Sequence, residues 1–223
     1  MKKMYWRKDK LVKTALILCA ALALASCGQR ISVQTAEFGA ADGRLVHSTV
    51  ITLNAAQGRD ANRQIEELLS CGTGGYTLDD VNAYLEEAGI ANAFVSIGGV
   101  LMLARGRNSR GHFWEIGLRN PLTPEIFSGV TQVSDRVVAV NYYAAEHDIL
   151  GAVVIMDSAA EGSGETAEAL AAALLTTNRQ GAVEFHMGGQ FDFEMILFVE
   201  NADAPNSRGY DVLHTSVIFE PAR

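Results

Sequence analysis

The sequence predicts an α+β fold, a single domain in which a mixed, largely antiparallel sheet packs against two or three helices. Short segments rich in β-branched and aromatic residues recur along the chain, and turn residues join several of them into hairpins. Two or three other segments have the apolar spacing of amphipathic helices. The chain has 223 residues, of which 48% are hydrophobic, and this is enough for one core of ordinary size.

The first 26 residues have the pattern of a lipoprotein signal peptide. Six basic residues precede an apolar run over 14–25, which is too short to span a membrane comfortably. The run ends in Leu24-Ala-Ser-Cys-Gly28, the lipobox order of a branched apolar residue, two small residues and cysteine. We therefore expect an exported lipoprotein that is cleaved before Cys27 and held to a membrane by lipid on that thiol. A tether would cover 27–40 and the folded domain 41–223; an ordinary cleaved signal is the alternative.

Charge and cysteine content limit the classes of partner. The full chain carries a formal net charge of −8, and loss of the basic signal peptide makes the mature chain more acidic still. So acidic a chain argues against nucleic acid and against a polybasic membrane patch, so the lipid must supply the attachment. Cys71 is the only thiol left after cleavage and lipidation, so no intrachain disulfide is expected.

The first half of the domain begins with a strand over 45–53 and a helix over 59–69, which presents Ile65, Leu68 and Leu69 on one side. Thr77-Leu-Asp-Asp80 is a capping-box pattern, which predicts a helix from that point to Ala88 that ends at Gly89. The apolar positions of this helix share one face: Leu78, Val81, Tyr84, Leu85 and Ala88.

The remaining elements are mostly strands. Strands over 93–97 and 101–104 flank a tight turn at Gly98-Gly99. A strand over 113–118 ends at Asn120-Pro121, and its alternation directs Trp114, Ile116 and Leu118 to one side. Further strands are predicted over 137–143, 152–156, 194–199 and 212–219, and Ser163 is predicted to cap a helix over 165–176.

Several blocks of this chain resemble the ApbE family of FAD:protein FMN transferases, which are exported and often lipoproteins. The blocks are Gly74-Gly-Tyr-Thr-Leu-Asp79, Leu85-Glu-Glu-Ala-Gly-Ile-Ala-Asn92, Gly98-Gly99 and Trp114-Glu-Ile-Gly-Leu-Arg-Asn-Pro121, in the order and spacing of the family. The segments over 152–156 and 167–175 are similar to a late strand and an Ala/Leu-rich helix of the same family. The resemblance implies an ApbE-like domain.

The resemblance also implies the chemistry. Such a protein would bind FAD and transfer its FMN half to a threonine or serine hydroxyl of an exported redox protein, with Mg²⁺ stabilising charge on the phosphates. It places the metal at Glu168 and Ala172 and identifies no catalytic residue. The cofactor-binding positions that it implies are Tyr76, Asp79, Gly98, Gly99, Arg119, Asn120 and His147.

Each of these positions also has a plain structural interpretation. Tyr76 could pack on the helix, Asp79 could suit a helix dipole, and His147 could be a solvated histidine. The glycine pair is typical of a hairpin turn, and Arg119-Asn120 of a strand that ends in a turn.

Departures from the family pattern leave two functional hypotheses open. Gly74 stands for the motif lysine, Val100 for an aspartate, Glu168 for the late-helix aspartate and Ala172 for its threonine. The segment before the first motif is also much shorter than in the family. These changes predict a weakened Mg²⁺ site. The chain is therefore either an FMN transferase or a catalytically impaired member that acts as a flavin-binding or interaction module.

Overall fold

The computed structural model describes residues 31–39, 45–70, 77–142, 148–201 and 209–222. Within these ranges the chain forms eleven strands and four helices. In order they are β1 Ser32–Gly39, β2 Leu45–Thr52, α1 Ala55–Ser70, α2 Leu78–Glu87, β3 Ala93–Ile97, β4 Leu101–Arg105, β5 Trp114–Arg119, β6 Phe127–Val133, β7 Arg136–Asn141, β8 Ile149–Asp157, α3 Ser163–Leu174, α4 Arg179–Met187, β9 Glu194–Glu200, β10 Tyr210–His214 and β11 Phe219–Pro221. None of the helices in the described ranges has the length and apolar content needed to cross a membrane.

The predicted α+β fold with a largely antiparallel sheet is confirmed, and the strands divide into two sheets. The large sheet has eight strands in the order β1-β2-β3-β4-β7-β8-β9-β10, and the small sheet has the order β11-β6-β5. Every pairing between described strands is antiparallel. The described strands therefore include no parallel pair of the kind that a mixed sheet contains.

The large sheet has a hydrophobic core on each face. Successive side chains of a strand point to opposite faces, so Val137 and Ala139 of β7 pack among the four helices, while Val138 and Val140 pack beneath the small sheet. A strand that is buried on both faces reads as a continuous apolar run, as β8 does over residues 152–156. The helices therefore cover one face and the small sheet covers part of the other.

The capping box that begins α2 is confirmed. The Thr77 side chain accepts a hydrogen bond from the Asp80 backbone N–H at 3.1 Å, and the Asp80 carboxylate accepts one from the Thr77 backbone N–H at 3.1 Å. Leu78, Val81 and Leu85 are buried, as predicted. Ala88 is exposed, contrary to the prediction, because it already lies in the C-cap where the chain turns away.

Two further local predictions are confirmed. Gly98, Gly99 and Val100 connect β3 to β4, and the two glycines have φ values of 61° and 72°, the left-handed conformation that glycine adopts without strain. Strand β5 alternates between buried and exposed residues, with Trp114, Ile116 and Leu118 buried together. The indole N–H of Trp114 donates to the Arg105 carbonyl at 3.0 Å.

The predicted tether over 27–40 is wrong over its second half. Strand β1 occupies Ser32–Gly39 and pairs with β2 along its whole length, so the sheet begins nine residues before the predicted domain start at residue 41. Ser32 and Ala36 are buried on one face of this strand, while Val33 and Thr35 are exposed on the other. Because small or polar residues lie inside and a valine lies outside, the sequence of the strand alone does not show the usual alternation.

Three further differences from the predicted elements lie in the second half of the chain. The strand predicted over 212–219 is two strands, β10 and β11, which belong to different sheets. Strand β6 and helix α4 were not predicted. Ser163 is the first residue of α3 and not its cap; the N-cap is Gly162, which makes no side-chain capping bond.

Candidate functional site

The start of α2 is joined to the start of α3 through Asp79. Its carboxylate Oδ1 accepts a hydrogen bond from the Ser163 hydroxyl at 3.2 Å and a long one from the Gly164 backbone N–H at 3.5 Å. Ser163 is completely buried. Because Gly162 offers no side chain to the first turn of α3, Asp79 supplies from a neighbouring helix the acceptor that this turn lacks.

The two helices can begin side by side because Gly164 has no side chain. A Cβ at that position would lie 2.7 Å from the Cβ of Leu78. A second contact fixes the same junction: the Asn82 amide donates to the Ser158 carbonyl at 3.0 Å and accepts from the Arg105 guanidinium at 3.0 Å. Helix α2 therefore holds the connection between β8 and α3 in place, and Asp79 is part of that clamp.

The glycine candidates Gly98 and Gly99 lie at the opposite end of the large sheet from Asp79. Arg105 ends β4 beside the Asp79 clamp, whereas the Gly98-Gly99 turn precedes the start of β4 at Leu101. Four residue steps separate Leu101 from Arg105, which is about 13 Å along a strand. A single phosphate or metal ion therefore cannot contact both groups.

Arg119 and Asn120 lie in the turn that follows β5. One guanidinium nitrogen of Arg119 donates to the Pro124 carbonyl at 2.6 Å, and its carbon lies 5.6 Å from the ring centre of Phe127. The Asn120 side-chain oxygen accepts from the backbone N–H groups of residues 122 and 123 at 2.8 and 3.1 Å. Asn120 thus builds the turn, while the exposed guanidinium of Arg119 keeps most of its donors for solvent or a ligand.

Tyr142 lies beside Arg119 and was not among the predicted site residues. Its ring packs against the backbone of Gly151, where an added Cβ would lie 2.7 Å from the ring carbon Cδ1. Its hydroxyl is buried and has no hydrogen-bond partner in the described part of the chain. Burial raises the pKa of Tyr142 to about 12, against the opposing effect of Arg119. The sequence feature that could have identified Tyr142 is the segment Ala139-Val-Asn-Tyr-Tyr143, which weakly resembles a motif of the ApbE family.

The predicted metal positions lie on the exposed side of α3. Glu168 and Ala172 are both exposed, while the buried side of the helix carries Ala167, Leu170, Ala171 and Leu174. Among the described residues, no three His, Cys, Asp or Glu side chains come close enough to hold a metal ion together. Mg²⁺ requires near-octahedral oxygen ligands, and Ala172 offers no side-chain oxygen, so these residues do not fit a Mg²⁺ site.

Three predicted residues lie outside the described part of the chain: Tyr76, His147 and the lipidation candidate Cys27. Cys71 and the whole predicted signal peptide also lie outside it.

Comparison with known proteins finds a matching family model and similar solved structures. The model of the ApbE family matches residues 44–141. The structure is similar to the flavin transferase ApbE from Vibrio cholerae, with a TM-score of 0.50 and 19% sequence identity over 62% of this chain and 47% of that one. It is also similar to the apo form of the Pseudomonas stutzeri flavinyl transferase ApbE, with a TM-score of 0.46 and 18% identity over 61% of this chain and 47% of that one.

The chain thus spans about half the length of these solved flavin transferases. No curated protein sequence matches it. The matched residues 44–141 contain the capped helix α2, the β3–β4 hairpin and strand β5, which are the elements that the motifs predicted.

Proposed function

We propose that this chain, whose residues 44–141 match the model of the ApbE family, is a flavin transferase-like lipoprotein whose ligand is FAD and whose partner is an exported flavin-acceptor protein. The family match over residues 44–141 carries this proposal. Its finer form is transfer of FMN from FAD to a threonine or serine hydroxyl of exported redox proteins.

FAD would bind at the end of the sheet that holds Gly98, Gly99 and Arg119. Gly98 and Gly99 are exposed and carry no side chains of their own, so a ligand can approach their backbone closely. The Arg119 guanidinium can donate to pyrophosphate oxygens in a charge-assisted contact. Asp79 is assigned a structural role instead, because its carboxylate already occupies the start of α3, where a phosphate would otherwise bind.

A second candidate function is favoured by the metal positions. Since exposed Glu168 and Ala172 do not fit Mg²⁺, no step of FMN transfer can be assigned to a metal held by these residues. This observation supports a catalytically impaired member of the family that binds flavin or another protein without transferring FMN.

Flavin fluorescence tests the shared part of both candidates. The soluble protein from Gly28 onward is titrated with FAD, together with Arg119→Ala and Arg110→Ala, an exposed arginine at the other end of the domain. The parent and Arg110→Ala are expected to bind equally. Arg119→Ala should bind about 10-fold more weakly, because one charge-assisted hydrogen bond contributes roughly 1.4 kcal/mol or more. Absence of FAD binding by the parent would overturn the proposal.

Covalent flavin on an acceptor domain separates the two candidates. Parent, Glu168→Asp/Ala172→Thr, and this double variant with Gly74→Lys and Val100→Asp are incubated with FAD, Mg²⁺ and the acceptor, and labelled bands are read on a denaturing gel. Labelling by the parent establishes the transferase. A silent parent with active revertants establishes the impaired module.

Membrane attachment through Cys27 is part of the proposal. It is supported by the lipobox Leu24-Ala-Ser-Cys-Gly28 after a basic and apolar leader. The protein should incorporate labelled palmitate and fractionate with membranes, at the periplasmic or extracellular face, and Cys27→Ser should abolish both. Labelling that persists in the serine variant would contradict it.

A further inference from the structure

The large sheet has an exposed edge at strands β1 and β2, on the face that the small sheet covers elsewhere. Strands β1 and β2 present Val33, Thr35, Thr49 and Ile51 there, which we call the β1 patch. Val33 pairs with Ile51 and Thr35 with Thr49. Val33 is 57% exposed, whereas the opposite face of the same strands packs against α1 and buries Ser32, Ala36 and Val50.

The small sheet ends its cover just before this patch. Val33, Ile51 and Phe94 form one row across β1, β2 and β3. Phe94 lies under the small sheet, with its ring centre 5.7 Å from that of Trp114. Phe94 and Ile51 are partly buried in this row, whereas Val33 is exposed and none of the described elements packs over it.

The chain reaches this patch a few residues after the proposed lipid. Five residue steps separate Cys27 from Ser32, so the first residue of β1 lies within about 18 Å of the acylated cysteine even if the link is fully extended. We infer that the β1 patch lies on the membrane surface, with Ile31 and Val33 at the lipid interface; this inference rests on the lipidation proposed above.

Charge distribution favours a lipid surface over another occupant. The mature chain is strongly acidic, and acidic surfaces are repelled by anionic headgroups. Residues 28–36 contain no Asp or Glu and include Arg30, and residues 48–54, at the end of β2, are uncharged. Ile31 and Val33 are 52% and 57% exposed and lie in this carboxylate-free region. The two segments nearest the lipid therefore add no carboxylate of their own, and the next acid along β1 is Glu37.

A fluorescent label tests the orientation. An environment-sensitive dye is attached to Val33→Cys in the lipidated protein, in a Cys71→Ser background, on vesicles of phosphatidylcholine and phosphatidylglycerol. The matched control is Met187→Cys, which is 78% exposed on α4 at the helix-covered face. Lipids with a nitroxide headgroup should quench the label at position 33 strongly and the label at 187 little. Thr35→Cys lies on the same face and provides a second reporter if the first variant folds poorly.

The outcomes separate this inference from the proposal beneath it. Equal quenching at 33 and 187, or none at either on protein that floats with the vesicles, overturns the orientation and leaves the lipid anchor intact. Protein that fails to float overturns the anchor, and the orientation with it. Shielding of the label at 33 in soluble protein lacking Cys27, increasing with protein concentration, would assign the patch to a second copy and overturn the inference.

A longer link tests the stated cause. A flexible Gly/Ser insertion of about 20 residues after Arg30 has a root-mean-square reach of roughly 25 Å, and longer when extended. Quenching at position 33 should then fall toward that at 187. Unchanged quenching in the extended protein would show that the short link does not hold the patch at the membrane.

Discussion

At the scale of single residues, Asp79 replaces a helix cap that α3 cannot supply itself. We expect Asp79→Ala to lower the free energy of unfolding by about 1–2 kcal/mol, because loss of a capping acceptor typically costs that much. Urea unfolding measures the change. Asp79→Asn keeps a side-chain oxygen and should lose less, and Glu165→Ala removes an exposed acid of the same helical turn. Equal losses in Asp79→Ala and Glu165→Ala would reduce the effect to helix-dipole charge alone.

Tyr142 should make the free energy of unfolding decrease as the pH rises in the alkaline range. Burial raises its pKa to about 12 in the folded protein, whereas a tyrosine in the unfolded chain has its ordinary pKa of 10.0. The unfolded chain therefore releases its proton first, and the stability from neutral Tyr142 is fully present below pH 10 and is lost as the pH rises toward 12. The loss should approach about 2 kcal/mol.

Chemical unfolding at a series of pH values between 9 and 12 measures this effect, with Tyr142→Phe as the comparison. The phenylalanine variant cannot ionise, so its stability should fall less steeply over that interval. Parallel curves for the two proteins would show that the Tyr142 hydroxyl is hydrated in solution.

At the scale of elements, two left-handed glycines differ in what surrounds them. Gly99 has a φ of 72° and open space around its missing Cβ, whereas Gly106 has a φ of 59° and a Cβ there would lie 2.3 Å from the Ala91 carbonyl oxygen. Gly99→Ala should cost about 1 kcal/mol, from the backbone conformation alone. Gly106→Ala adds a steric clash with the backbone and should cost about 3 kcal/mol or more. Similar melting temperatures for the two variants would contradict this contrast.

The elements that the sequence predicts well are those encoded by their own residues. The Thr77–Asp80 capping box, the Gly98-Gly99 turn and the alternation of β5 each depend on short-range chemistry, and each is confirmed. The missed elements depend on partners that are distant in sequence. Strand β6 buries Ser128 and Thr131, whose hydroxyls bond to the Tyr210 hydroxyl and the Ile218 carbonyl. No local pattern shows that these polar residues belong inside.

The candidate site shows the same division. The motifs identified Asp79 and Arg119 as residues of interest, and the structure gives each a defined set of contacts. What the sequence could not predict is that the two lie at opposite ends of the large sheet, because this depends on the direction of β4 and the packing of the small sheet. Nor could the sequence predict that Glu168 is exposed, since alanines on every side of a helix give no pattern that identifies its buried side.

At the scale of the whole molecule, the fold separates structural from ligand-binding tasks. One sheet carries two cores, and the clamp through Asp79 and Asn82 lies at one end while the exposed glycines and Arg119 lie at the other. The part of the chain that matches the Vibrio cholerae flavin transferase covers 47% of that protein, and the described residues place helices on one face of the large sheet and the small sheet on the other. Among the described residues, both cores are built from apolar side chains, so we expect a ligand to add to a fold that forms without it.

This separation predicts different responses to FAD and to Mg²⁺. FAD at about 100 times its dissociation constant should raise the free energy of unfolding by about 2.7 kcal/mol, because it binds only the folded chain. Mg²⁺ alone, or EDTA, should leave the melting temperature unchanged, since no carboxylate cluster among the described residues holds the ion. Thermal unfolding of the soluble protein, monitored by circular dichroism with and without each ligand, measures both. Restoring the metal pair with Glu168→Asp and Ala172→Thr is the matched variant. A Mg²⁺-dependent increase in the melting temperature that is already present in the parent would mean that residues outside the described ranges complete a metal site, and the transferase would then be the better candidate.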